Sequence, residues 1–290
     1  MLQMVNRLFL PLLSLSVVSC NQLDLKGLLI PTGEGVEKRF EQSAEMNENL
    51  KVASIQEQEN YTFYVATDPH VYETHRNLDV FNDDFRNDNE ASFAVILGDC
   101  IDVKDNLPEY MKALAYNPDK HGADKDIFHV LGNHDIFFNG WVDFKEMIGP
   151  SVYWFEVDFA EGKDLFISLD TATGTLGGRQ TKWFRNFLKE NRNKYRHCVI
   201  LTHTNFFYTD TSQVSSGNMP LEESYALIDF LGNQNVSLVL QGHDHYREDL
   251  TYDGVRYTIL GAIKDGIENP EYLKIHVTHD DLKLDWQPIF

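Results

Sequence analysis

Cysteine is scarce in this chain, with three in 290 residues, at positions 20, 100 and 198. That number cannot build a disulfide framework, so stability has to come from a packed core. Cys100 lies just past one apolar run and Cys198 at the start of another. If both runs are parallel strands of five or six residues, ~17–20 Å separates the two, whereas a bridge needs Cα atoms within about 7 Å; two free, buried thiols are expected. Basic residues are also short, 25 Lys and Arg against 45 Asp and Glu, for a formal net charge of −20. This argues against wrapping a nucleic acid, which rests on Lys and Arg displacing counterions. It leaves a small phosphorylated substrate open, because bound divalent cations reset the local sign of a site. There is no internal repeat or low-complexity tract.

What is present is ample core material, 42% hydrophobic and 12% aromatic. Arg7 is the sole charged side chain before an apolar run from Leu8 to Val18, the length of a signal-peptide core and short of the ~20 residues that span a bilayer. The run ends in Val17-Val18-Ser19-Cys20, which resembles the lipobox of bacterial lipoproteins. The resemblance implies a signal peptide over 1–20, acylation of Cys20, and a chain held in the bacterial cell envelope through that lipid anchor alone. An ordinary secretory signal or an apolar N-terminal helix is the alternative. Residues 21–60 are polar, with Pro31, Gly33 and Gly35, then Val36, Phe40 and Leu50 at helical spacing. They read as a tether, or else as an extra element packed on a main domain over 61–290.

From Tyr61 onward, short runs rich in Val, Ile, Phe and Tyr alternate with helical stretches, the pattern of an α/β fold. Strands are expected at Tyr61–Thr67, Ser92–Leu97, Ile127–Leu131, Tyr153–Val157, Leu165–Leu169, Cys198–Thr202 and Ser237–Leu240. Helices are expected at Pro108–Tyr116, Thr181–Arg192 and Leu221–Leu231. Asp253-Gly254 between two apolar runs marks a hairpin, and a second is expected around Asp280. Asp68, Asp99, Asn133, Asp170, His203 and His243 each follow a strand by a residue or two. Open α/β sheets bind ligands beyond the carboxyl ends of their strands, so these residues can converge.

Five motifs carry the chemistry: Asp68-Pro69-His70, Gly98-Asp99 with Asp102, Gly132-Asn133-His134-Asp135, Thr202-His203, and Gly242-His243-Asp244-His245. Residue frequencies predict on the order of 0.03 chance occurrences of Gly-His-x-His and below ~0.01 of Gly-Asn-His-Asp. In this order the motifs resemble those of the calcineurin-like metallophosphoesterases, over residues 68 to 245. The resemblance implies a four-layer α/β/β/α sandwich with two mixed sheets. It implies one metal ion held by Asp68, His70, Asp99 and His245, and a second held by Asp99, Asn133, His203 and His243, with Asp99 shared. A mixed carboxylate, amide and imidazole set suits Mn, Fe or Zn. Two such ions activate a water lying between them as nucleophile and neutralise the phosphoryl oxygens.

The resemblance also makes His134 the general acid, protonating the departing oxygen. Asp135 is expected to act beside it or to hold a ligand, and Asp102 likewise. Thr204 to Met219 reads as a long loop suited to substrate recognition, and Arg179 and Lys182 are candidates for reaching phosphate. His75, His121, His129, His197, His276 and His279 match no motif. The expected activity is hydrolysis of phosphate mono- or diesters. The alternative is an envelope lipoprotein that keeps the fold to bind a ligand or partner. The order of the motifs fits poorly with amidohydrolases and metallo-β-lactamase-like enzymes, and the lack of a Tyr shortly after Gly98-Asp99 disfavours purple acid phosphatases.

Overall fold

Between residues 61 and 66 every side chain is buried, yet alternate ones enter different cores: Phe63 and Val65 join one apolar cluster, Tyr64 and Ala66 another. A strand sends successive side chains to opposite faces, so a strand covered on both sides reads as a continuous apolar run. A computed structural model describes residues 32–207 and 218–290. Cys20, the expected signal peptide and Tyr208–Gly217 of the expected recognition loop lie outside the described residues.

In chain order the elements are α1 (Val36–Met46), β1 (Lys51–Gln56), β2 (Tyr61–Ala66), α2 (Arg76–Asn87), β3 (Ala91–Ile96), α3 (Leu107–Ala113), β4 (Ile127–His129), α4 (Trp141–Met147), β5 (Tyr153–Phe159), β6 (Gly162–Ser168), α5 (Gly177–Asn191), β7 (Cys198–Leu201), α6 (Leu221–Asn233), β8 (Leu238–Gln241), β9 (Glu248–Tyr252), β10 (Val255–Ile259), β11 (Glu271–Val277) and β12 (Leu282–Pro288). They form a seven-stranded sheet in the order β1-β5-β6-β7-β8-β10-β9 and a five-stranded sheet in the order β12-β11-β2-β3-β4. Both are mixed: β2, β3 and β4 run parallel, as do β6, β7, β8 and β10, and each run is flanked by antiparallel neighbours, β11 in the smaller sheet and β5 and β9 in the larger. One core lies between the sheets, with Phe63, Phe93, Phe155 and Phe166 at its centre. A second joins the outer face of the smaller sheet to α2, α3 and α4, and a third joins the outer face of the larger sheet to α5 and α6. This is the α/β/β/α sandwich expected. The Asp253-Gly254 turn carries positive φ at both residues, +49° and +77°, as a two-residue hairpin of the right twist requires. Cys100 and Cys198 are buried and unbridged. Among the described residues no helix is long and apolar enough to cross a membrane.

Three segments correct the expectations. Helix α2 was not anticipated, because Asn77, Asp79, Asn82, Asp83, Asp84 and Asn87 are weak helix formers. Its Leu78, Phe81 and Phe85 are buried on one face, and Asn82 and Arg86 donate to the carbonyls of Ala113 and Leu114 that end α3. Helix α4 was also missed, since two turns are too short for a periodic signal. The stretch read as a tether or as an extra packed element holds, in its described part, α1 at the expected helical spacing and, unforeseen, β1, which pairs in parallel with β5 at the edge of the large sheet. What fastens α1 is Arg39: its guanidinium is fully buried and bonds the Asp170 carboxylate twice, at 2.7 and 2.9 Å. Asp170 therefore serves this pair and not the site its position after a strand had suggested. Arg39→Ala leaves a buried carboxylate uncompensated and is expected to lower stability by about 3–5 kcal/mol, measured as a shift in the urea midpoint at unchanged slope.

Candidate metal centre

The parallel strands bring their carboxyl ends to one edge of the sandwich, and the motifs sit on the loops that leave them. Beyond β2 and β3 the loops stay paired: Asp68 N–H donates to Gly98 O at 3.1 Å and His70 N–H to Asp99 O at 3.0 Å, ending in a bridge between Val71 and Ile101. From the larger sheet, Gly242 N–H donates to His203 O at 2.9 Å. Asp68, His70, Asp99, His243 and His245 all lie in the left-handed region, with φ of 51°, 42°, 48°, 73° and 60°. For side chains of this kind that conformation costs of order 1 kcal/mol or more each, and it persists where the surroundings over-determine it. Here it turns five side chains back toward one point.

The glycines of the motifs are steric requirements. A Cβ on Gly132 would stand 2.1 Å from the backbone nitrogen of Asp99 and 2.2 Å from its Oδ1, and one on Gly242 would stand 2.1 Å from Thr67 Oγ1 and 2.7 Å from Asp68 Oδ2. Each glycine lets one motif touch the carboxylate of another. Gly132→Ala is therefore expected to lower stability by about 1–3 kcal/mol through overpacking and to weaken metal uptake by displacing Asp99; thermal melting and metal content of the variant check both.

The donor atoms converge in two overlapping sets. His70 Nε2 lies 3.1 Å from His245 Nε2 and 3.6 Å from both Asp68 Oδ1 and Asp99 Oδ2, and His245 Nε2 lies 3.2 Å from Asp68 Oδ1. His203 Nε2 lies 3.3 Å from Asp99 Oδ1, 3.1 Å from Asn133 Oδ1 and 3.2 Å from His243 Nδ1. Asp99 belongs to both sets. Most of these residues are buried, while His245 is exposed and marks the mouth.

His203 Nδ1 donates to the carbonyl of Leu97 at 2.7 Å, so its Nε2 is a lone pair unless the ring holds a second proton. That lone pair would face the oxygens of Asp99 and Asn133; positive charge has to sit there. With protons alone available, burial lowers the His203 pKa, but Asp99 and Asp68 outweigh it and raise it to about 10. His243 beside it is pushed down to about 4 by burial and by the His203 charge. Burial works against ionised Asp68 and Asp99, yet the neighbouring imidazoles hold both carboxyls well below the usual range. Asp68 Oδ1 is enclosed without a hydrogen-bond partner although His245 Nε2 is near. Two ionised carboxylates, a buried orphan oxygen and facing ring nitrogens are what cations would satisfy. The clustered Asp and His groups suit a dinuclear metal site.

His134 is 7% exposed, its ring edge-on to His70 at 4.5 Å and beside Phe137 at 4.6 Å. Its Nδ1 is 3.3 Å from Asp102 O and 3.6 Å from Asp102 Oδ1. Asp135, expected as a catalytic partner of that ring, has another place. Its carboxylate accepts from Cys100 N–H at 2.9 Å and Gly132 N–H at 2.8 Å, clamping together the loops that carry Asp99 and Asn133, and it is fully buried. Burial and the Asp99 charge raise its pKa to about 7 against those two donors. It positions the backbone of both loops.

At the described start of the loop expected to recognise substrate, Thr204 bonds Thr171, Asn205 bonds Asp244, and Phe206 is buried in the outer core. Arg179 turns to Glu37 and Glu41 of α1 rather than toward a phosphate. His75, His121, His197, His276 and His279 pair with Asp79, Asp83, Thr278, Thr62 and Glu59, and His129 packs on Tyr110, all outside the two sets. Two contributors went unread. Thr67 Oγ1 donates to Asp68 Oδ2 at 2.6 Å, and its only signal was its place at a strand end; the Leu97 carbonyl that sets the His203 tautomer has no side-chain signal at all.

No curated protein sequence matches the chain. Among solved structures it is similar in fold to a dimetal phosphatase from Danio rerio, at 14% identity and a TM-score of 0.59 over 79% of this chain and 96% of that one. GAP50, described as the anchor in the inner membrane complex of Plasmodium, aligns at 13% identity and a TM-score of 0.58 over 79% and 84%. A purple acid phosphatase, PPD1, from yellow lupin aligns at 12% and 0.61 over 80% of this chain, which spans 52% of that longer protein. The family model of the calcineurin-like phosphoesterases matches residues 61–247, which covers every motif described above. On that match and this architecture, the chain belongs to the calcineurin-like phosphoesterase family.

Proposed function

We propose that the protein is a dinuclear metal-dependent hydrolase of phosphate mono- or diesters acting on a small phosphorylated substrate. The observation that carries this is the convergence of Asp68 and Asp99 with the ring nitrogens of His70, His203, His243 and His245 beside His134. Asp68, His70, Asp99 and His245 would hold one ion, and Asp99, Asn133, His203 and His243 the other; the mixed donor set favours Mn, Fe or Zn. When bound, the two ions supply Lewis acidity that makes a water nucleophilic near neutral pH and offsets phosphoryl charge. His134, protonated, gives its proton to the departing oxygen so that no alkoxide is expelled. Asp102 orients that ring, and Asp135 fixes the loops on which the ligands stand.

The second reading is a chain that keeps the fold to bind a partner, and one observation favours it: a neighbour of similar fold is described as an anchor. The presence of all seven expected ligand residues and of His134 speaks for catalysis. The test is metal analysis of the purified chain together with hydrolysis of p-nitrophenyl phosphate and its bis-ester. Two ions per chain are expected, with activity lost on chelation and restored by Mn or Zn. A folded, metal-supplemented preparation that binds two ions and hydrolyses neither ester supports the binding reading instead.

A further inference from the structure

Next to the two sets, His70, Asp102 and His134 offer three ligand atoms within 4.8 Å of one another. Asp102 Oδ1 stands 3.7 Å from His70 Nδ1 and 3.6 Å from His134 Nδ1, too far for a hydrogen bond to either. A tetrahedral zinc with ligands at ~2.0–2.2 Å has ligand-to-ligand edges of about 3.3–3.6 Å, which these separations approach. The backbone oxygen of Asp102 accepts a hydrogen bond from His134 Nδ1 at 3.3 Å, so a cation bound there replaces that ring proton. His70 Nδ1 is enclosed with no hydrogen-bond partner, in a side chain only 2% exposed. Its other nitrogen faces Asp68, Asp99 and His245.

We propose that His70, Asp102 and His134 form a third, weaker cation site at which zinc inhibits by occupying the ring that donates the proton. The inference rests on the hydrolase reading above, and His70 would bridge two ions. Two imidazoles and one carboxylate match zinc and lack the oxygens that Mg or Ca demand. The Asp102 side chain is 18% exposed. On binding, His70 releases its remaining ring proton to water and serves both ions as an imidazolate. His134 coordinates through Nδ1 after giving up the proton that made it imidazolium. Its Nε2–H is then that of a neutral ring, a far weaker acid, and departing oxygens of high pKa lose their proton source. Inhibition should therefore be strong for an alkyl phosphate and slight for p-nitrophenyl phosphate, whose leaving group needs little protonation.

The experiment is a zinc titration of the full chain already loaded with two ions, followed by equilibrium dialysis and by rates on both substrates, for wild type, Asp102→Asn and His134→Phe. Wild type is expected to take up a third zinc, with alkyl phosphate hydrolysis falling in step. Both variants should keep two ions and weaken the third by more than the ~10–100-fold that loss of an outer partner costs. If wild type binds two ions and no third, or Asp102→Asn and His134→Phe both bind the third as tightly as wild type, the third site is overturned while the hydrolase reading stands. Fewer than two ions in wild type would overturn the hydrolase reading itself.

Discussion

Asp99→Asn is expected to abolish uptake of both ions and to lower kcat/KM by on the order of 10³-fold or more, beyond the ~10–100-fold cost of losing an outer partner of a ligand. The reason is geometric. Asp99 presents Oδ2 toward His70 and Oδ1 toward His203, so a single carboxylate is common to both donor sets. The amide keeps shape and can still accept the His134 N–H that Asp99 Oδ1 receives at 2.8 Å, but it removes the charge that lets two cations lie roughly 3.5–4 Å apart. Melting with and without chelator gives a readout independent of turnover. Ions bound only to the folded state raise the wild-type Tm by mass action, and that increment should vanish in the variant. An Asp99→Asn protein that retained two tightly held ions would show that the carboxylate is not shared.

His134→Gln separates chemistry from metal binding. The ring lies against His70 and Phe137 and is no member of either ligand set, so both ions and the Tm increment should survive. Loss of a positioned general acid typically costs ~10²–10⁴-fold, and here the loss should fall on kcat for an alkyl phosphate with KM little changed. On p-nitrophenyl phosphate it should be small. An unchanged rate on the poor leaving group would remove His134 from the proton-transfer role.

How much of this was legible beforehand differs by residue. Strands such as β2 and β7 announced themselves because burial on both faces leaves an uninterrupted apolar run, whereas α2 hid behind Asn and Asp whose partners are the carbonyls ending α3. Arg39 and Asp170 are 131 residues apart, and no local pattern announces their pair. Asp135 stands in the most informative motif, and its neighbour His134 made a shared role the natural expectation; its clamp on Cys100 and Gly132 depends on where a distant loop passes.

By itself the sequence determined the layered α/β class, the hairpin at Asp253-Gly254 and the identity of the residues that meet at the sheet edge. Those follow from side-chain period, turn chemistry and donor type, which are properties of short stretches. Only the tertiary structure decided which nitrogen of each imidazole faces which carboxylate, that Asp102 stands between His70 and His134, that β1 adds an edge strand to the larger sheet, and that α1 is fastened through Arg39 to Asp170. These depend on loops from two sheets approaching to within 3–4 Å, and such distances are set by packing across the whole sandwich.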